Sequence, residues 1–273
     1  MSRSCGTGFF NGVMTLKLHQ LFPSAVATVQ LPLDPLDLAG HLQTLLNLRG
    51  EAEGNPSPGC AWTGDLNGIW QLHQRAEFRD LAGRVVEAAW HYLDAVGFDR
   101  TRVALHLQRS WPVLSDWDQL VGRHHHPNAH LSAVLYLSGT GSGEEGMLRL
   151  HAPLRPNELV SGLAVGHGGP IADGHPLNAD HWDLAPQPGL LVLFPSRMDH
   201  SVLPNADPEA LRSSISFDFV LTAPAEGDPP EYLSPHPATW EQAAQQSTGQ
   251  TPPQQRPRHV RHRSGGGHGQ HHR

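Results

Sequence analysis

From Arg102 to Val220 the apolar residues come in short runs, each broken by Gly, Pro, Asn or Asp, a pattern that antiparallel strands satisfy and long helices do not. Five runs read as strands: Arg102 to Gln108, Leu131 to Leu137, Met147 to His151, Leu190 to Phe194, and Arg212 to Val220. LSAVLYL and LLVLF are apolar throughout and suit strands buried on both faces. RSSISFDFV alternates instead. Ile215, Phe217 and Phe219 share one face, while Arg212, Ser214, Ser216 and Asp218 share the other, which must meet something polar.

Two helices precede the strands. The first opens with Asp34 as N-cap and Pro35 at its first position, spaces Leu38, Leu42, Leu45 and Leu46 helically, and is expected to stop at Gly50. The second is expected from Glu77 to Val96, with Phe78, Leu81, Val85, Val86, Ala89, Trp90 and Leu93 on one stripe and Gly97 as its stop. Helices followed by many short strands give the expected fold class: α+β, mainly β, a double-stranded β-helix (jelly roll) core supported by N-terminal helices. No internal repeat is visible.

The ends differ from this core. Residues 1–13 read as a disordered leader, with Met14 as an alternative start, residues 14–221 as one domain, and residues 222–273 as a disordered Pro-, Gln- and His-rich tail that cannot bury enough apolar area to offset ordering entropy. Two cysteines, Cys5 and Cys60, exclude a disulfide framework and point to a reducing, cytoplasmic setting. No run of 18 apolar residues is present, so a membrane partner is not expected. Net charge is −7 although residues 256–273 carry only basic groups, so the body is acidic and nucleic acid is not its expected partner.

The segment GRHHHPNAHLSAVLYL carries the chemistry. If residues 124–126 are extended, His124 and His126 point to the same side and His125 to the other, which lets two imidazoles converge on one ion. Pro127 and Asn128 supply a turn before the strand that begins at Leu131. His200, where the chain is expected to leave the sheet after LLVLFP, is the candidate third ligand, with Asp199 beside it as an alternative ligand or an outer acceptor. On the polar face of the last strand, Arg212 and Ser214 offer a guanidinium fork and a hydroxyl matched to a carboxylate; the bland alternative pairs Arg212 with a structural carboxylate such as Asp218. His130 reads as a packing or hydrogen-bonding residue. Trp111, Trp117 and Trp182 read as core or rim residues, and the Gly-rich stretch at 156–182 as a cover for a pocket.

The order HHHPNAHLSAVLYL, GMLRLHAPLR, PQPGLLVLFPSRMDHSVLPN, LRSSISFDF, preceded by WTGDLNGIWQLHQRAEFRDLAGRVVEAAWHYL and LQRSW, resembles the double-stranded β-helix dioxygenases that use Fe(II) and 2-oxoglutarate. It is most similar to an uncharacterised branch with an HxHPN segment followed by an LSGVYYL-like strand, and the likeness covers roughly residues 18–221. It implies that His124, His126 and His200 surround Fe(II), that Arg212 and Ser214 hold the distal carboxylate of 2-oxoglutarate with Tyr136 assisting, and that O2 is a co-substrate. The reaction implied is hydroxylation of a substrate C–H bond, with peptide side chains, small metabolites and nucleobases all open as substrates. Two departures from the usual pattern stand out: histidine in place of the carboxylate at position 126, and Ala152 where relatives carry an acidic residue. Three neutral imidazoles also suit Zn(II), so a cupin-like metal-binding sensor or binding module is the alternative.

Overall fold

The computed structural model describes residues 23–243, apart from 53, 55, 56, 155, 156, 162, 164–169, 173 and 174. The expectations for residues 1–13 and for the tail from 244 onward therefore lie outside the described residues, as does part of the stretch at 156–182. The chain divides into two units, Met1–Thr239 and Trp240–Arg273, and the second is described only over 240–243.

Within the first unit the two helices form as their periodicity predicts. Helix α1, Pro35–Glu51, is capped by the Asp34 carboxylate, which accepts from the amides of Leu36 and Asp37. It runs through Gly50 to Glu51, with Ala52 as its C-cap, because Gly50 keeps an ordinary helical backbone. Its buried side chains are Leu45 and Leu48. Helix α2, Arg79–Ala95, follows a single 3₁₀ turn at Ala76–Phe78 and stops at Gly97, which takes a φ of 91°.

The strands make two antiparallel sheets. The larger combines β1 (Ala27–Gln30), β2 (Trp62–Thr63), β3 (Ala104–Ser115), β5 (Leu131–Tyr136), β8 (Leu190–Pro195) and β10 (Arg212–Thr222) in the order β1-β8-β5-β10-β3-β2. The smaller combines β4 (Val121–His124), β6 (Leu148–His151), β7 (His181–Leu184) and β9 (His200–Val202) in the order β4-β9-β6-β7. All five expected strands are present. The five additional ones, β1, β2, β4, β7 and β9, are two to four residues long and carry little periodic signal.

Two apolar layers sandwich the larger sheet, which explains why its central strands are apolar on both faces. On one side Leu81, Val85, Ala89 and Leu93 of α2 pack with Ala133, Leu135, Leu191, Leu193, Ile215, Phe217 and Phe219. On the other, Val134, Tyr136, Val192 and Phe194 meet Leu148, Leu150 and Leu184 of the smaller sheet, together with Met198. Each fully buried leucine, valine or phenylalanine contributes on the order of 1.5–3 kcal/mol. Strand β10 is hydrogen-bonded along both edges, to β3 and β5, and its polar face, Arg212, Ser214, Ser216 and Asp218, is buried as well.

Candidate metal centre

The three histidines singled out by the sequence meet. One ring nitrogen from each of His124, His126 and His200 lies within 4.8 Å of the others, and this is the only such group of potential metal ligands among the described residues. His124 closes β4 and His200 opens β9, and the two face each other in register across the smaller sheet. The sequence places His200 where the chain leaves the sheet; instead it begins a three-residue strand, a length that carries no periodic signal. His126 lies beyond β4 rather than on the strand that follows, and its amide donates to the carbonyl of Ser196 at 2.9 Å. It thereby reaches from the smaller sheet to the larger.

The hydrogen bonds fix which nitrogen each ring offers. Nδ1 of His124 lies 2.8 Å from the Gly122 carbonyl and Nδ1 of His200 lies 2.9 Å from that of Met198. A carbonyl can only accept, so both Nδ1 atoms carry the proton and both Nε2 atoms keep a lone pair. Nδ1 of His126 donates to Asp218 Oδ1 at 2.6 Å. Burial favours the neutral, ligand-competent form: it pushes His200 down to about 3, with the neighbouring His124 adding to the effect, and it also lowers His124.

Asp199, the alternative ligand, is engaged elsewhere. Its two oxygens meet Arg123 at 2.7 Å and His125 at 3.0 Å, which puts His125 on the side away from the triad, as the alternation requires. His130 is a structural residue, its Nδ1 accepting from the amide of Leu221 at 2.9 Å. Trp111 is buried with its ring 5.4 Å from that of His126, whereas Trp117 and Trp182 are exposed.

At the other end of β10, Arg212 is 1% exposed, and no carboxylate pairs with it among the described residues. The alternative pairing with Asp218 is not made, because Asp218 binds His126. Instead Nε of Arg212 donates to the Gly146 carbonyl at 2.9 Å, Nη1 donates to Ser214 Oγ at 3.2 Å, and Nη2 makes a long contact with the Tyr136 hydroxyl at 3.4 Å. Tyr136 sits directly opposite Ser214 in the β5–β10 register, and the guanidinium lies 5.1 Å from its ring centre. Burial raises the Tyr136 phenol, so it stays protonated. The between-sheet apolar layer joins the two groups, with Tyr136 at one end and Phe194, 5.0 Å from the His200 ring, at the other.

Residues 109–218, the stretch holding every one of these groups, match the family described as "Putative 2OG-Fe(II) oxygenase". Over that stretch the chain is similar to the 2OG-Fe(II) oxygenases. No curated protein matches the chain by sequence. Among solved structures, the non-haem α-ketoglutarate-dependent epimerase SnoN of nogalamycin biosynthesis is similar at 17% identity and a TM-score of 0.50, over 78% of this chain and 91% of that one. The carbocyclase SnoK of the same biosynthesis is similar at 12% identity and a TM-score of 0.51, over 73% and 82%. At such identities the likeness is one of fold. Within the matched segment the sequence missed three contributors: Asp218 as partner of His126, Ser132 beside it, and Gly146 behind Arg212. None carries a local signal, since each acts through a residue far along the chain.

Proposed function

We propose that this chain is a 2-oxoglutarate-dependent Fe(II) dioxygenase that hydroxylates a small molecule or a peptide. In this reading its two sheets are a double-stranded β-helix, His124, His126 and His200 hold the iron, and Arg212, Ser214 and Tyr136 hold the distal carboxylate of 2-oxoglutarate. The observation that carries the reading is the buried guanidinium of Arg212, which pairs with no carboxylate among the described residues, on the same sandwich as the three imidazoles. A buried charge is costly unless paired, and a fork flanked by two hydroxyls fits a carboxylate.

The chain's own part is binding and orientation. Three Nε2 atoms turned inward leave positions on the ion for other ligands, and the three Nδ1 hydrogen bonds prevent the rings from turning away. Tyr136 and Ser214 offer further polar contacts, and Leu148, Leu150, Val192 and Phe194 keep water from the space between the sheets. When bound, Fe(II), 2-oxoglutarate and O2 together supply the oxidation, in which one oxygen atom enters the substrate C–H bond and 2-oxoglutarate becomes succinate and CO2. We place the protein in a reducing compartment, where Fe(II) persists.

A second reading, a zinc-holding binding module, is favoured by the all-imidazole donor set, which suits Zn(II) equally. Isothermal titration under anaerobic conditions separates the two. The oxygenase reading expects 2-oxoglutarate to bind only after Fe(II), and expects both to be lost in His200→Ala. Tight Zn(II) binding with no 2-oxoglutarate response would support the module instead.

A further inference from the structure

Three imidazoles leave the candidate metal centre without a negative charge of its own. Fe(II) sites of the facial type use two histidines and one carboxylate, and that carboxylate offsets part of the ion's charge. Here no carboxylate oxygen joins the ligand group among the described residues.

The opposite anomaly lies immediately beside it. Asp218 is fully buried, and the described residues give it no arginine or lysine partner. Arg109, which stands opposite it in the β3–β10 register, turns instead to Asp65 at 3.1 Å and lies over the Trp111 ring. Oδ1 of Asp218 accepts from His126 Nδ1 at 2.6 Å and from the Ser132 hydroxyl at 2.8 Å. Ser132 has one proton to give and gives it to Asp218, so Ser196, 2.8 Å from Ser132, donates in turn. The second oxygen, Oδ2, is buried without a hydrogen-bond partner. An anion held this way in a dry site demands a nearby cation.

A cationless carboxylate and a carboxylate-free metal site thus share one ring. We infer that Asp218 is a positioning residue of the metal centre: through the Nδ1–H of His126 it supplies the negative charge that the triad lacks and holds Nε2 toward the ion. His124 and His200 rest on neutral carbonyls, so the centre keeps a pattern of two neutral donors and one anion-backed donor. Charge at that place strengthens His126 as a donor, tightens the metal, and stabilises Fe(III) relative to Fe(II). The inference rests on the reading of His124, His126 and His200 as ligands.

The test uses the full-length protein, Fe(II) under anaerobic conditions, and three forms: wild type, Asp218→Asn, and the double variant His126→Asp with Asp218→Asn. The amide of the Asp218→Asn variant keeps shape and an acceptor but removes the charge, so Fe(II) affinity should fall by about tenfold to a hundredfold and the Fe(III)/Fe(II) potential should rise. The double variant moves the charge into the ligand set and should regain affinity and bring the potential back down. A purely structural aspartate would not shift the potential, and a charge swap would not rescue it. An Asp218→Asn protein with wild-type affinity and potential overturns the inference while leaving the ligand reading intact. Absence of Fe(II) binding in the wild type overturns the ligand reading itself. If the variants do not fold, the Co(II)-loaded wild type decides: among its paramagnetically shifted ring N–H resonances, that of His126 should exchange with solvent more slowly than that of His124. Equal or faster exchange rejects the buried Asp218 contact.

Discussion

Arg212 and Asp218 stand on one face of β10, both buried and oppositely charged, yet they do not pair. Asp218 serves His126, and among the described residues Arg212 meets only neutral oxygens. The strand therefore carries two separate electrostatic stations. One faces the candidate metal ligands and the other is the guanidinium beside Gly146, Ser214 and Tyr136.

Replacing Arg212 by lysine tests the second station. Lysine keeps a charge but loses the planar fork and its paired hydrogen bonds, at about 1.5–3 kcal/mol for a hydrogen bond to a charged group. We expect 2-oxoglutarate affinity to fall by roughly a hundredfold in the Fe(II)-loaded protein, with Fe(II) affinity itself unchanged, both read by titration calorimetry. Unaltered 2-oxoglutarate binding would remove Arg212 from the cofactor site.

Gly146 should be nearly irreplaceable. Its φ is +83°, and an added Cβ would lie 2.7 Å from the Leu203 carbonyl oxygen and 3.4 Å from Cδ of Arg212. Backbone strain alone costs on the order of 1–3 kcal/mol. Gly146→Ala should lower the denaturation midpoint and weaken 2-oxoglutarate binding together, because the Gly146 carbonyl anchors Arg212. Gly68→Ala, at φ +76° with no neighbour within 4 Å, should show the strain cost without the binding defect.

The metal-free protein should lose stability in mild acid. His200 is held neutral down to about 3, whereas in the unfolded chain it takes up a proton near 6.5. Above 6.5 neither state binds that proton and the group contributes no pH dependence. As the pH falls from 6.5 toward about 3 only the unfolded state is protonated, so unfolding becomes easier, by an amount on the order of a few kcal/mol across the window. Urea denaturation at about pH 7 and about pH 5, on either side of the unfolded-state value, should show the decline, and His200→Leu should flatten it. A wild-type midpoint independent of pH in that range would contradict the burial of this ring.

Asp199→Asn distinguishes the neighbour from the ligand. Its carboxylate is committed to Arg123 and His125, and hydrogen bonding to Arg123 first, then to His125, holds it below the usual carboxylate range. Fe(II) affinity should stay within about threefold of wild type, as expected for a screened surface interaction. A loss comparable to that of His200→Ala would make Asp199 a ligand after all.

The helices, five of the strands and the His-x-His pair were legible because each is a local pattern. Helical spacing marks α1 and α2, alternation marks β10, and a period of two puts His124 and His126 on one side without knowledge of any partner. The same reasoning stops α1 at Gly50, short of its true end at Glu51, since a glycine in a helix does not by itself terminate it. It could not find β4 and β9, which carry little periodic signal, although they bring His124 opposite His200.

Sequence alone thus determined the candidate side chains and the faces on which they lie, because side-chain direction follows from backbone periodicity. Tertiary structure alone decided their partners: that His200 closes the triad, that Asp199 turns away, and that Asp218 goes to His126 while Arg212 is left to Gly146, Ser214 and Tyr136. Those choices depend on strand register and on which charges are buried together. Residues distant along the chain set both, and no local pattern encodes them.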